Sequence, residues 1–413
     1  MFNLTKELQK TQTAARELAV LSHATRRSVL HSLVHELTQG KKRIVSANRQ
    51  DVTAAAKMEN TAFVDRLTLT DASFAQMVKQ VKDIADSPDV LGKVLERRIV
   101  GNSVRLEKVS VPLGVIAIIY ESRPNVTIDV AALCIMSGNA CVLKGGSDAL
   151  RTNKLLSECV RRALRKNRVS EASVLFLDTS DRSIVDALIT QNDYIDVLIP
   201  RGGYELVKKV VSKSKIPVLY HASGGARIYV DAYADLALAT RVSLNAKTNR
   251  PATCNSADAL LVHENVAGAF IPTMVRELSK AGVEVRGDAA VRTFASMKRA
   301  TAKDYATEFL DLVVVMKVVK DVHEALSFIR TYGKKHSEGI ISKDKKNIAT
   351  FVNGVDAAGI FVNCSTRLHD GGVFGLGAEM GVATGKLHAR GPVGLRELTT
   401  YKWVAYGKGE LRK

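Results

Sequence analysis

Apolar residues recur at helical spacing through residues 1–85, most regularly over 14–37 and 74–84, with few breakers between them. The pattern changes at 97–110, RRIVGNSVRLEKVS, where two short runs flank Gly101-Asn102 and predict a pair of strands around a turn. Beyond it, short apolar runs alternate with amphipathic ones. Strands are predicted at 111–120, 140–144, 174–178 and 194–199, and helices at 125–137 (closed by Gly138), 147–166 and 181–190. Continuously apolar strands belong to sheets covered on both faces. The rhythm therefore predicts an α/β fold of parallel βαβ units. A second alternating pattern, over 231–330, predicts a further domain with Cys254 near its start.

Two predicted strand ends carry glycines: Lys144-Gly145-Gly146-Ser147 and Pro200-Arg201-Gly202-Gly203, each opening a helix. Ligands of parallel sheets bind beyond the carboxyl ends of the strands. Glycine lets backbone approach a phosphate, a helix N-terminus favours an anion, and Lys144 and Arg201 add charge. Neither loop is the GxGxxG dinucleotide fingerprint, and glycine at such turns also serves backbone geometry alone.

Composition narrows the classes. A chain of 413 residues has room for two or three domains. The net charge of +18 comes from basic residues spread along the chain. With no nucleic-acid motif and aromatics at 5%, no nucleic-acid partner is expected. A field that gathers anionic substrates competes with plain solubility as its explanation. No apolar run reaches spanning length; the candidate at 111–120 stops at Glu121, so no membrane is expected. The opening residues are charged and lack a signal-peptide pattern. Five cysteines without CxxC spacing point to a reducing, cytoplasmic compartment. No cluster has metal-ligand spacing, so no metal is expected.

Cys254 stands apart from Cys134, Cys141, Cys159 and Cys364, which are mostly set among apolar neighbours. Lys247 and Arg250 precede it in a polar stretch, NRPATCN, and cations favour the thiolate that acts as nucleophile. A buried structural thiol is the competing reading.

Six stretches run in order across nearly the whole chain: VPLGVIAIIYESRPNVT at 111–127, SGNACVLKGG at 137–146, DYIDVLIPRGG at 193–203, NAKTNRPATCN at 245–255, FVNCSTRLHDGGVFGLGAE at 361–379 and KLHARGPVGLRELTTYKW at 386–403. Together they resemble the gamma-glutamyl phosphate reductase branch of the aldehyde dehydrogenase superfamily. The resemblance implies NADPH-dependent reduction of L-glutamate 5-phosphate to the 5-semialdehyde with phosphate release, in proline biosynthesis. It implies Cys254 as nucleophile, forming a thioester. Lys144, with Ser147 in the same loop, falls where the superfamily contacts the adenosine ribose or its 2′-phosphate. Arg201, Gly202 and Gly203 fall at the turn facing the pyrophosphate. Glu308 falls where a glutamate holds the nicotinamide ribose. Arg123 and Asn125 share the loop that supplies a side-chain oxyanion donor, and either fits that role. Arg123, Arg250, Arg367 and Arg390 are candidates for the anionic groups of glutamyl phosphate, since a planar guanidinium suits phosphate and carboxylate; each also reads as a solvated or structural arginine. His388 is left open as a proton donor, and His369 reads as structural.

The chain departs from the branch in three places. Asp258 stands where a glutamate is usual, HASGGAR fills 221–227 in place of a Gly-Ile-Cys-His-type run, and Asp311 is displaced by two positions. The expected architecture is a Rossmann-type cofactor domain (1–97, 112–227 and 386–398), an α/β catalytic domain (228–385) and a small β oligomerisation flap (98–111 and 399–413). The strand at 399–404 is expected to pair across a subunit boundary. A homo-oligomer is expected, and contact with glutamate 5-kinase is allowed for. The alternatives are a hydrolytic aldehyde dehydrogenase of broader specificity, or a weakened enzyme kept as an interaction protein.

Overall fold

The computed structural model describes residues 2–57, 61–101, 103–121, 123–220 and 223–412, with only the backbone of Thr61 and Ala62. Asn102 of the expected turn, Ser122 of the ESRPN stretch, and His221 and Ala222 lie outside the described residues. The chain forms two units. The first comprises residues 1–220, 375–381 and 393–413, and the second 221–374 and 382–392.

The first unit opens with the helices Leu4–Ala19 and His23–Ala55. The helical spacing noted over 14–37 spans both. They are separate because Ser22 adopts an extended backbone and its hydroxyl accepts from the Thr25 amide, starting a new helix. The core is a four-stranded parallel sheet in the order Val174–Phe176, Ala140–Gly145, Val115–Tyr120, Val197–Arg201. Val115, Ala117 and Ile119 pack with Leu8 and Ala15 of the first helix, while Ile116 and Ile118 between them are also fully buried. Both faces are covered, which is why these strands read as unbroken apolar runs.

The strand expected over 111–120 is two strands. Val111 and Pro112 end Val104–Pro112, and Val115–Tyr120 begins after Gly114. Gly114 has φ +127°, and a Cβ there would meet the Asp196 carboxyl carbon at 2.8 Å; only glycine turns the chain at that corner. The strand expected over 194–199 runs instead from Val197 through Arg201, and the helix over 181–190 shrinks to Ser183–Leu188. Gly138 closes the helix Asn125–Met136 at φ +74°, with the Asn139 amide donating to the Cys134 carbonyl at 2.8 Å. The Asn139 side chain then donates to the Leu398 carbonyl and accepts from the Gly114 amide, each at 2.8 Å, tying the returning C-terminal segment to the sheet.

A separate antiparallel sheet in this unit has the order Val94–Val100, Val104–Pro112, Thr399–Tyr406. The C-terminal strand pairs within its own chain, against Val104–Pro112. Its other side is the outer edge of the sheet.

The second unit holds a seven-stranded parallel sheet, ordered Lys298–Arg299, Glu284–Gly287, Val313–Val319, Ala257–His263, Ala226–Val230, Ser337–Ile341, Gly359–Val362. Leu260 and Val262 face a cluster with Phe270 and Met274, and Ala259 and Leu261 one with Phe328 and Phe351. Among the described residues, no helix is long and apolar enough to cross a membrane.

Candidate active site

Cys254 sits in the turn between the helix Leu236–Thr248 and the central strand Ala257–His263, and is half-buried. Side chains staple this turn. The Thr253 hydroxyl donates to the Arg250 carbonyl at 2.7 Å, and Asn255 donates to the His369 carbonyl at 3.1 Å. Thr366 donates to the Asn255 carbonyl at 2.8 Å. The backbone of Gly224 and Gly225 crosses directly against the turn. The Gly225 amide donates to the Cys254 carbonyl at 2.5 Å, and a Cβ on Gly224 would lie 2.6 Å from both the Cys254 Cα and carbonyl oxygen. Gly225 also has φ +98°. The departure at 221–227 therefore keeps two glycines where the turn leaves no room for a side chain.

Arg367 joins the thiol. Its Nε donates to the Asn249 carbonyl at 2.6 Å. Burial pulls the guanidinium below its ordinary range, against the opposing field of Cys254 and with the like charge of Arg250. Arg367 thus interacts electrostatically with both Cys254 and Arg250. The other thiols differ: burial pushes Cys134 and Cys364 up, and Cys159 up to about 11.

Beneath Gly225 lies a buried ionic group that sequence reading did not assemble. Asp258 stands 3.4 Å from the Lys247 ammonium and accepts from the Phe309 amide at 3.4 Å. Burial raises Asp258 to about 6, opposed by Lys247 and Arg227 and reinforced by Glu308. Burial raises Glu338 to about 8, opposed by Arg227, whose amide donates to it at 3.0 Å. The Arg227 guanidinium donates to the Tyr332 carbonyl at 2.7 Å. Glu308 is half-buried and accepts from the Ser223 hydroxyl at 3.1 Å. A second buried chain joins His336, Ser337 and His369 through two 2.8 Å hydrogen bonds. Burial lowers His369 to about 4, so it is neutral. The signal missing from the sequence is proximity, since the members of these groups come from distant segments.

Arg390, expected near the substrate anions, has its charge engaged elsewhere. It forms an ion pair with Asp356 at 2.8 Å, shared with Lys386 at 3.2 Å. A carboxylate of the protein itself thus stands beside that guanidinium. His388 is exposed with φ +64°.

The remaining candidates belong to the first unit. Lys144 ends its strand buried, donating to the Gly145 carbonyl at 2.7 Å. Burial and the Arg182 charge lower it, opposed by Asp181. Arg182, not among the sequence candidates, brings a second positive charge to bear on Lys144. Ser147 is exposed and opens a short 3₁₀ turn. At the second strand end the Gly203 amide, which caps the helix Tyr204–Lys213, donates to Glu121 at 2.9 Å. A Cβ on Gly202 would lie 2.6 Å from the Glu121 carboxyl carbon. A carboxylate of the protein itself therefore occupies the helix N-terminus expected to face a pyrophosphate. The Arg201 guanidinium packs on Gly381, where a Cβ would meet its Cζ at 2.6 Å. Arg123 is exposed at the entry to the helix Asn125–Met136, and Asn125 is half-buried as that helix's first residue.

A parallel-sheet unit with cations at its strand ends, and a second unit that presents a thiol on a glycine-backed turn, fit an oxidoreductase of the aldehyde dehydrogenase class. The chain belongs to the aldehyde dehydrogenase family, whose family model matches residues 3–306; members use a nicotinamide cofactor. Within the family it is similar to the gamma-glutamyl phosphate reductase of Clostridium kluyveri, at 43% identity over 99% of this chain and 98% of that protein. The crystal structure of gamma-glutamyl phosphate reductase from Thermotoga maritima matches with a TM-score of 0.97 and 42% identity, covering all of both chains. An acetylating aldehyde dehydrogenase from Geobacillus thermoglucosidasius shares the fold, with a TM-score of 0.68 at 17% identity over 99% of this chain and 97% of that one.

Proposed function

We propose that this chain reduces L-glutamyl 5-phosphate to L-glutamate 5-semialdehyde, with NADPH as reductant and Cys254 as nucleophile. The observation that carries the reading is full-length similarity to curated gamma-glutamyl phosphate reductases, at 43% identity over 99% of the chain. The Cys254 turn, with Arg367 acting on the thiol, supplies the chemistry.

The Cys254 sulfur attacks the acyl carbon, the carbon–oxygen bond to phosphate breaks, and a thioester remains. NADPH, when bound, would supply hydride to that carbon. The resulting oxyanion re-forms the carbonyl as the carbon–sulfur bond breaks, releasing aldehyde and a Cys254 thiolate that takes up a proton. Negative charge develops on oxygen in both steps and needs fixed donors. The family resemblance assigns them to the Cys254 backbone N–H and a side chain of the 123–125 loop, and we take the Asn125 carboxamide, which Asp129 holds at 2.8 Å. Arg250 and Arg367 are the remaining candidates for the substrate's anionic groups. Lys144 with Arg182 is the candidate reader of the 2′-phosphate, which favours NADPH over NADH.

A hydrolytic enzyme needs a carboxylate to activate water at the thioester. Residues 223–227 contain none. Asp258 lies buried under Gly225 and paired with Lys247, and Glu308 accepts from Ser223. Phosphate is then the competent acceptor in the oxidative direction. A cytoplasmic location, homo-oligomerisation through the outer edge of Thr399–Tyr406 and transient contact with glutamate 5-kinase belong to the same reading; an acyl phosphate that cyclises or hydrolyses favours direct delivery. Cys254→Ala tests the nucleophile: turnover is expected to fall by several orders of magnitude with NADPH binding retained. A tenth of wild-type turnover in the variant would remove the assignment.

A further inference from the structure

Asn125 and Asp129 lie one turn apart on the helix Asn125–Met136. Asn125 Nδ2 donates to Asp129 Oδ2 at 2.8 Å. A carboxylate only accepts, so this contact fixes which way round the carboxamide stands and leaves its second N–H to serve another acceptor. Asp129 is itself 8% exposed, and its Oδ1 is buried with no hydrogen-bond partner among the described residues. Burial pushes the carboxyl up to about 7, against the Asn125 hydrogen bond and the Arg201 charge. Leaving a carboxyl oxygen buried and unpartnered costs stability, and an apolar residue or an asparagine would fill the same space without that cost. Packing alone gives no reason for a carboxylate here. Holding an amide donor does: an anionic acceptor makes a shorter, stronger hydrogen bond than a neutral one, and locks the side chain through its own buried position.

We propose that Asp129 is the positioning residue for Asn125, anchoring the carboxamide as an oxyanion donor. The inference rests on the functional reading above, in which Asn125 serves the oxyanion.

The test is a double-mutant cycle in the full-length protein, read as kcat and KM for glutamate semialdehyde with NADP⁺ and phosphate. Asn125→Ala is expected to lower kcat about a hundredfold, as for loss of one oxyanion donor. Asp129→Asn, which keeps the shape, is expected to lower kcat about tenfold or more through misplacement of the amide, with KM for NADP⁺ and the melting temperature little changed. Asp129→Ala should behave likewise if the isosteric variant folds poorly. In the Asn125→Ala background, either substitution at Asp129 should add almost nothing. Losses that multiply independently, or full kcat in Asp129→Asn, would overturn this inference while leaving an active wild type and the functional reading intact. A wild type without phosphate-dependent activity would overturn the functional reading, and this inference with it.

Discussion

The Gly225 amide donates to the Cys254 carbonyl at 2.5 Å, so the backbone of one glycine holds the peptide that carries the thiol. Gly224, one residue earlier, leaves no space for a Cβ against the same cysteine. Gly224→Ala must therefore push the Cys254 turn. The expected outcome is a stability loss of about 1–3 kcal/mol and a fall in kcat larger than any change in cofactor KM. Denaturant melts and steady-state kinetics check it; a variant with wild-type values for both would mean the two segments separate freely in solution.

Thiol selectivity follows from the same turn. With the Arg367 charge acting on it, Cys254 is expected to react first with substoichiometric iodoacetamide near neutral pH. Burial holds Cys134, Cys159 and Cys364 in the protonated, unreactive form. Peptide mapping reads the site, and Arg367→Gln should slow labelling of Cys254. Earlier modification of Cys364 would point away from an activated Cys254.

Lys144→Ala is expected to weaken NADPH far more than NADH, by about 1–3 kcal/mol for a lost charge-assisted hydrogen bond. Arg182→Ala should act in the same direction more weakly, because Arg182 is exposed. Binding titrations with both cofactors decide it. Equal weakening of the two would show that Lys144 does not read the phosphate.

Glu338 links stability to pH. Its folded value is raised to about 8, above the ordinary 4.5, chiefly by burial. A carboxyl with a raised folded value contributes stability that is complete below about pH 4.5 and is lost as pH rises through 8. Glu338→Gln keeps an acceptor for the Arg227 amide and removes the titration. The variant should therefore gain stability relative to wild type between pH 5 and pH 8.5. Parallel unfolding curves at both values are the measurement, and a constant difference would show that Glu338 titrates near its ordinary value.

Much of this site was legible because its parts are local. The apolar runs at 115–120 and 140–145 and the Gly138 stop are short-range signals, and the resemblance placed Cys254, Lys144 and Glu308 on named elements. What stayed hidden depends on distant partners. Glu121 reaches Gly203 across 82 positions, and Ser337 reaches His369 across 32. The sequence shows those residues but not their meeting. Asp129 stands four residues from Asn125, in the sequence only a polar position in an apolar helix. Its burial and its orphaned oxygen are what distinguish it. The pairing of Arg390 with Asp356 is likewise invisible along the chain.

The central claim is that the Cys254 thioester is released by phosphate and not by water. The direct measurement is oxidation of glutamate semialdehyde with NADP⁺ in phosphate-free buffer, then with phosphate restored, with rapid quench in isotope-labelled water to count free glutamate formed from the thioester. The account predicts turnover that requires phosphate, and no appreciable label in glutamate before the acyl phosphate itself decays. Turnover at the full rate without phosphate, with label entering glutamate directly, would contradict it.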